Sequence, residues 1–360
     1  MTAVRLLVAC ALGASAATAT AAAAQGASGT QGDFVARDFT FSSGEQLAEL
    51  RLHYTTLGAP KRDAAGVVRN GVMILHGTGG SGRGFLSPTY AGELFGPGQL
   101  LDTTRYYIIL PDGIGHGGSS KPSDGLHARF PRYTYDDMVR AQHLLLTKGL
   151  GVNHLRLVMG TSMGCMHAWV WGYTFPGFAD GLVPLACAPA PIVGRNRMMR
   201  KMIMDDIRDD PGYRGGEYTA QPAGVRAASQ LLFMMTSAPL VQHRVAPTRE
   251  AADSTIAAYL AARVRVTDAN DMLYQFDASR EYDPSSYLAQ VTAPVLAINS
   301  ADDLVNPPEL GVMERLMPQV ANGKFVLLPI TPQTRGHGTH SLPTVWGKYL
   351  GEFLAGLKER

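Results

Sequence analysis

Apolar and polar positions alternate in blocks along the chain. Eight short stretches, residues 34–41, 47–54, 71–76, 106–111, 154–160, 181–186, 294–300 and 324–330, read as strands. Several are continuously apolar, such as Val72-Met73-Ile74-Leu75 and Tyr107-Ile108-Ile109-Leu110, the pattern of parallel strands covered on both faces. Between them, residues 135–150, 163–173, 308–317 and 342–357 place apolar side chains at helical spacing. This alternation predicts an α/β fold with a mostly parallel sheet and helices on both faces. The rhythm lapses once. From 189 to 290 the pattern is helical without a buried-strand run, and seven of the fifteen methionines (198, 199, 202, 204, 234, 235 and 272) fall there. The expected organisation is a core built from residues 25–188 and 291–360, interrupted by a helical cap over 189–290.

Residues 1–24 stand outside this scheme. Arg5 is their only charge, a small and apolar run follows, and Ala22-Ala23-Ala24 offers a cleavage site before Gln25. That is the layout of a secretory signal peptide, so the mature chain is expected in the periplasm or outside the cell. Leu7-Val8-Ala9-Cys10 resembles a lipoprotein box, but the apolar stretch before it is too short. No later stretch reaches the ~20 apolar residues of a membrane span. With 46% hydrophobic residues and 17% charged, the chain is no disordered segment. Its 32 basic against 30 acidic residues give no field for nucleic acid. After the leader only Cys165 and Cys187 remain, which makes neither a disulfide framework nor a metal cluster. Two buried free thiols are expected, with a single bridge as the alternative.

Candidate chemistry begins at Gly160-Thr161-Ser162-Met163-Gly164, where a strand run meets a helix run. G-x-S-x-G in that setting is a nucleophile elbow, with Ser162 on a tight turn between flanking glycines. A serine hydroxyl needs a base, and the base needs an orienting carboxylate. In this arrangement they follow in the order Ser, acid, His. His337, between Gly336 and Gly338 in the loop before the last helix, is the preferred base, with His340 as its rival. The acid belongs after the strand ending near Ser300, where Asp303 is preferred; Asp302 is then solvent-facing or caps the next helix. Two backbone N–H groups must face the developing oxyanion. Met163, after the nucleophile, and Thr78, in the loop His76-Gly77-Thr78-Gly79-Gly80-Ser81-Gly82, are the expected donors. The same loop matches the dinucleotide fingerprint G-x-G-x-x-G, but two strands precede it and the next strand-end acid, Asp112, comes too late. Neither a cofactor nor a metal is expected. The Gly-rich turn over 111–122 lacks a phosphate-loop ending and reads as a frame for the pocket.

This set resembles the α/β-hydrolase superfamily over residues 33–360, carried by His76-Gly77, Gly115-His116-Gly117-Gly118-Ser119, the elbow, Asp303 and Gly336-His337. More narrowly it is similar to the homoserine O-acetyltransferase branch, through Ser162-Met163-Gly164-Cys165-Met166 and the stretch Asp209 to Tyr218. The resemblance implies a capped hydrolase core, often a homodimer. It also exposes two departures. Where that branch has an arginine six positions before the aspartate-proline pair, this chain has Met204; where an aspartate follows the histidine, it has Gly338. Both groups that would pair with zwitterionic homoserine are missing, and a site built for charge loses several kcal/mol without its partners. The sequence therefore favours hydrolysis of a small-molecule carboxylic ester by an exported serine enzyme. O-acyl transfer through the same acyl-enzyme is the alternative, and a non-catalytic binding protein the third.

Overall fold

The eight apolar runs assemble into one sheet. The computed structural model describes residues 29–358; the leader expected over 1–24 lies outside them. Strands β1 (Thr30–Thr40), β2 (Gln46–Leu57), β3 (Gly71–Leu75), β4 (Tyr107–Pro111), β5 (Leu157–Thr161), β6 (Leu182–Leu185), β7 (Val295–Ser300) and β8 (Gly323–Leu328) lie in the order β1-β2-β4-β3-β5-β6-β7-β8. The β1–β2 and β2–β4 pairs are antiparallel and the rest parallel. Every residue of β3, β4, β5, β6 and β7 is buried, as continuous apolar strands require. Side chains alternate between two cores: Met73 and Leu75 enter one, Val72 and Ile74 the other.

Helices cover both faces. α1 (Pro88–Leu94) and the C-terminal α10 (Pro343–Gly356) pack against one; α2 (Tyr135–Leu144) and α3 (Met163–Thr174) cover the other. Between β6 and β7 run α4 (Gly194–Arg208), α5 (Gly224–Thr236), α6 (Pro239–Val245), α7 (Arg249–Val266) and α8 (Ala269–Asp277). α9 (Val312–Leu316) precedes β8. The helix expected over 308–317 is broken in two, because Gly311 takes φ +58 between a 3-10 turn and α9. Such a left-handed residue ends one helix and starts another.

Cys165 and Cys187 form a disulfide, with Cα atoms 5.9 Å apart. This corrects the expectation of two free thiols. Both residues are buried, and the bridge ties the first turn of α3 to the chain leaving β6. The single bridge is the alternative that the sequence left open.

Asp271 joins the helical segment to the core: Ser123 donates to it from its backbone N–H at 2.9 Å and from its hydroxyl at 2.7 Å. Burial pushes this carboxyl up to about 6, against the lowering by those two bonds. Between pH ~4 and ~6 the folded state therefore holds a proton that the unfolded chain releases. Its stabilising contribution is full below ~4 and is lost as pH rises through about 6, a loss of order 2–3 kcal/mol. Asp271→Asn keeps both Ser123 contacts. Relative to the parent chain it is expected to gain stability progressively from pH 4.5 to 7 in urea unfolding; a pH-independent difference would count against this reading.

Candidate active site

Strand ends, not helix faces, carry the reactive groups. In a parallel sheet the loops leaving the C-terminal ends converge on one edge. Ser162 follows β5, Asp303 follows β7 and His337 follows β8. Ser162 takes φ 54 and ψ −111, the strained conformation expected of a residue at a nucleophile elbow. The neighbouring glycines are sterically required. A Cβ on Gly164 would lie 2.0 Å from the Leu75 carbonyl oxygen, and one on Gly160 would lie 2.0 Å from that of Gly164.

The structure brings the three preferred residues into one hydrogen-bonded chain. Ser162 Oγ lies 2.8 Å from His337 Nε2, and His337 Nδ1 lies 2.9 Å from Asp303 Oδ2. With Nδ1–H donating to the carboxylate, Nε2 is left to accept the serine proton. Asp303 is 1% exposed. Burial opposes its ionisation, but the His337 charge and hydrogen bonds from His337, Asn306 and the Val305 N–H outweigh this and hold its carboxyl below the usual range. Asp302 does neither of the things expected of it. Its Oδ2 accepts from the Gly336 N–H at 2.9 Å and its Oδ1 from Ser300 Oγ at 2.5 Å, so it anchors the histidine loop. His340 stacks edge-on against His337 at 5.3 Å, and burial with the His337 charge brings its imidazole down to about 3. It lines the cavity but stands off the hydrogen-bonded chain.

The expected oxyanion loop lies against Ser162: a Cβ on Gly77 would be 3.2 Å from Ser162 Cβ. Thr78 sits in the turn closed by the Gly80 N–H on the Gly77 carbonyl and lines the cavity with Ser162. Met163 opens α3, where first-turn N–H groups have no intrahelical acceptor. The loop is braced from behind. His76 Nε2 accepts from the Gly113 N–H and its Nδ1 meets the Gly77 carbonyl, both at 2.9 Å. Asp112 accepts from the Gly82 and Gly118 N–H groups at 2.7 and 2.8 Å. The acid weighed against the dinucleotide fingerprint thus ties the two glycine-rich loops together. Gly82 leads into a short 3-10 turn, Gly82–Leu86, where a fingerprint needs a full helix.

Two cavities meet at Ser162 and His337. One, about 110 Å³, is mainly apolar, with Ile192, Val305, Met313 and Phe325 in its walls. The other, about 470 Å³, lies against the loop of His76 to Ser81 and reaches Thr236, Tyr259 and Arg263. Arg200 lines both. Neither arginine was singled out from the sequence. Met204, which stands where the resembling branch has its arginine, is buried in the core, while Arg200, one helical turn earlier on α4, reaches the cavity. An i to i+4 spacing was the available signal. Nothing local marked Arg263.

The sequence profile of one family, described as the alpha/beta hydrolase fold, matches residues 71–327. A protein of Methanothermobacter thermautotrophicus described as a probable acyltransferase is 28% identical over 289 residues, 79% of this chain and 87% of that one. The homoserine O-acetyltransferase of Moorella thermoacetica is 36% identical over 211 residues, 52% of this chain and 54% of its own length. The chain therefore matches about half the length of such acetyltransferases. Among solved structures, a homoserine O-acetyltransferase from Bacillus anthracis superposes with a TM-score of 0.79 at 22% identity, covering 92% of this chain and 99% of that one. An acetylester hydrolase from Corynebacterium glutamicum gives 0.79 at 20% identity, over 91% and 96%. At these identities the superpositions speak for the fold.

Proposed function

The chain belongs to the alpha/beta hydrolase fold family, and from that premise we propose that it transfers an acyl group to an alcohol through an acyl-Ser162 ester. The observation that carries this reading is the unbroken chain from Ser162 Oγ through His337 to Asp303 at the junction of two cavities. His337 Nε2 takes the Ser162 proton as Oγ attacks the donor carbonyl. The Thr78 and Met163 N–H groups meet the oxyanion. The leaving group departs with the proton from His337, and the acyl group remains on Oγ. An acceptor hydroxyl then gives its proton to Nε2, its oxygen bonds the acyl carbon, and the Oγ–acyl bond breaks as Ser162 recovers the proton. The helical insertion acts as the cap, and residues 1–24 direct export.

The relative spanning most of the chain favours transfer over hydrolysis. Hydrolysis is the second reading, favoured by Met204 and Gly338 standing where homoserine's partners would be. Incubation with p-nitrophenyl acetate, with and without an alcohol acceptor, separates the two. Transfer predicts faster nitrophenolate release with acceptor present and an O-acetyl product; free acetate as sole product would overturn transfer in favour of hydrolysis.

A further inference from the structure

Two arginines line the larger cavity beside Ser162, and the described lining of that cavity holds no Asp or Glu; Glu314 lines only the smaller cavity, which Arg200 also reaches. Arg200 is 4% exposed. Its Nε donates to Asn196 Oδ1 and its Nη1 to Ser279 Oγ, both at 3.0 Å, and its Cζ lies 5.6 Å from the Phe276 ring centroid. These partners are neutral, and no hydrogen bond among the described residues reaches Nη2. Arg263, near the end of α7, reaches over the oxyanion loop. Its Nη2 is 2.6 Å from where a Cβ on Gly79 would stand, so its tip lies directly over that glycine, which takes φ +70. Its Nε is buried and has no hydrogen-bond partner among the described residues.

An arginine cannot shed its proton, and burying a cation such as Arg200 without a counter-ion is costly; Arg263 is half-buried. Such an arrangement is stable only if function requires it or something supplies the missing charge. The described residues lining this cavity include no Asp or Glu. Its histidines, His76, His337 and His340, are neutral or cationic in either protonation state and cannot supply the missing negative charge. The cavity presents hydrogen-bond donors and positive charge at the place where an acceptor hydroxyl must approach the acyl carbon. An ammonium on the same molecule would face two arginines in a described lining without Asp or Glu.

We propose that this cavity selects an acyl acceptor that is a hydroxycarboxylic acid without an amino group, its carboxylate held between Arg200 and Arg263. The proposal rests on the acyl-transfer reading for the acceptor's role, whereas the anion site itself does not. The carboxylate supplies the counter-ion that the protein lacks, and guanidinium groups match its geometry. Arg200 is fixed by Asn196 and Ser279 before the ligand arrives, so little ordering cost remains on binding.

The experiment uses p-nitrophenyl acetate as donor with 4-hydroxybutyrate, 4-hydroxybutyramide and homoserine as acceptors. Charge-assisted hydrogen bonds correspond to roughly 10- to 150-fold in affinity. The carboxylate is expected to exceed its neutral amide by at least ~30-fold in kcat/KM for O-acetyl product, and to exceed homoserine. Arg263→Met should bring the acid-to-amide ratio within about threefold, and Arg263→Lys should restore part of it. Equal use of acid and amide by the parent enzyme, an unchanged ratio in Arg263→Met, or a preference for homoserine would overturn the proposal. Calorimetric titration of Ser162→Ala with acid and amide needs no turnover. A large acid preference there supports the anion site even if no O-acetyl product forms, whereas equal binding overturns it whatever the fate of the acyl group.

Discussion

Ser162→Ala is expected to lower ester turnover by about four to six powers of ten in kcat, the scale on which removal of a triad nucleophile acts. The reason lies in the geometry. Ser162 Oγ is the atom 2.8 Å from His337 Nε2, and without it the imidazole has no proton to take and the acyl group no atom to join. A fluorophosphonate probe, which needs the same activated oxygen, should label the parent chain and not the variant. The fold should survive. φ 54 at this position is held by β5, by α3 and by the Ser162 N–H on the Leu185 carbonyl at 2.9 Å, none of which uses the hydroxyl. The melting temperature of Ser162→Ala is thus expected to equal or exceed that of the parent, since catalytic strain is commonly held against stability. Retained turnover by a well-folded variant would remove Ser162 from the mechanism.

The strands were legible because a sheet buried on both faces demands continuous apolar runs, and β3, β4, β5 and β7 are such runs in their own sequence. The G-x-S-x-G turn was legible for a similarly local reason, since Gly160 and Gly164 flank Ser162 in the sequence; the Gly160 contact is with Gly164 itself, whereas Gly164 is held small by the Leu75 carbonyl on β3. α1 escaped notice because its buried residues Tyr90, Ala91 and Leu94 form too short a pattern to stand out. What failed to show was non-local. The grip of Asp302 on the Gly336 N–H and the approach of Arg263 to Gly79 each join segments brought together only by the complete fold, and the Cys165–Cys187 bridge, open in the sequence as an alternative, is decided by the same meeting of distant segments. Arg200 is the instructive intermediate case. The sequence shows Met204 in place of an expected arginine, and the pocket looks stripped of positive charge until α4 is seen to present Arg200 one turn earlier.

Asp302 and Asp303 are adjacent carboxylates whose amide replacements should differ by orders of magnitude. In Asp303, Oδ1 accepts from the Val305 N–H at 2.8 Å, while Oδ2 accepts from Asn306 Nδ2 at 3.0 Å and faces His337 Nδ1. In Asp303→Asn the amide oxygen must serve Val305, which turns the NH₂ group toward Asn306 and His337. His337 then accepts at Nδ1 and carries its proton on Nε2, so it cannot take the Ser162 proton. The expected loss is about 10⁴-fold in kcat, with the protein still folded, the magnitude known for a triad locked in the wrong tautomer. In Asp302→Asn the amide oxygen can keep the Gly336 N–H, and its NH₂ can donate to Ser300 Oγ, which now accepts. Every partner is satisfied, the histidine loop keeps its anchor, and activity should fall by less than ~10-fold, as for a single neutral hydrogen bond weakened. Nitrophenyl ester kinetics on the two variants decide the assignment: equal losses, or the larger loss in Asp302→Asn, would mean that the carboxylate orienting His337 has been misidentified.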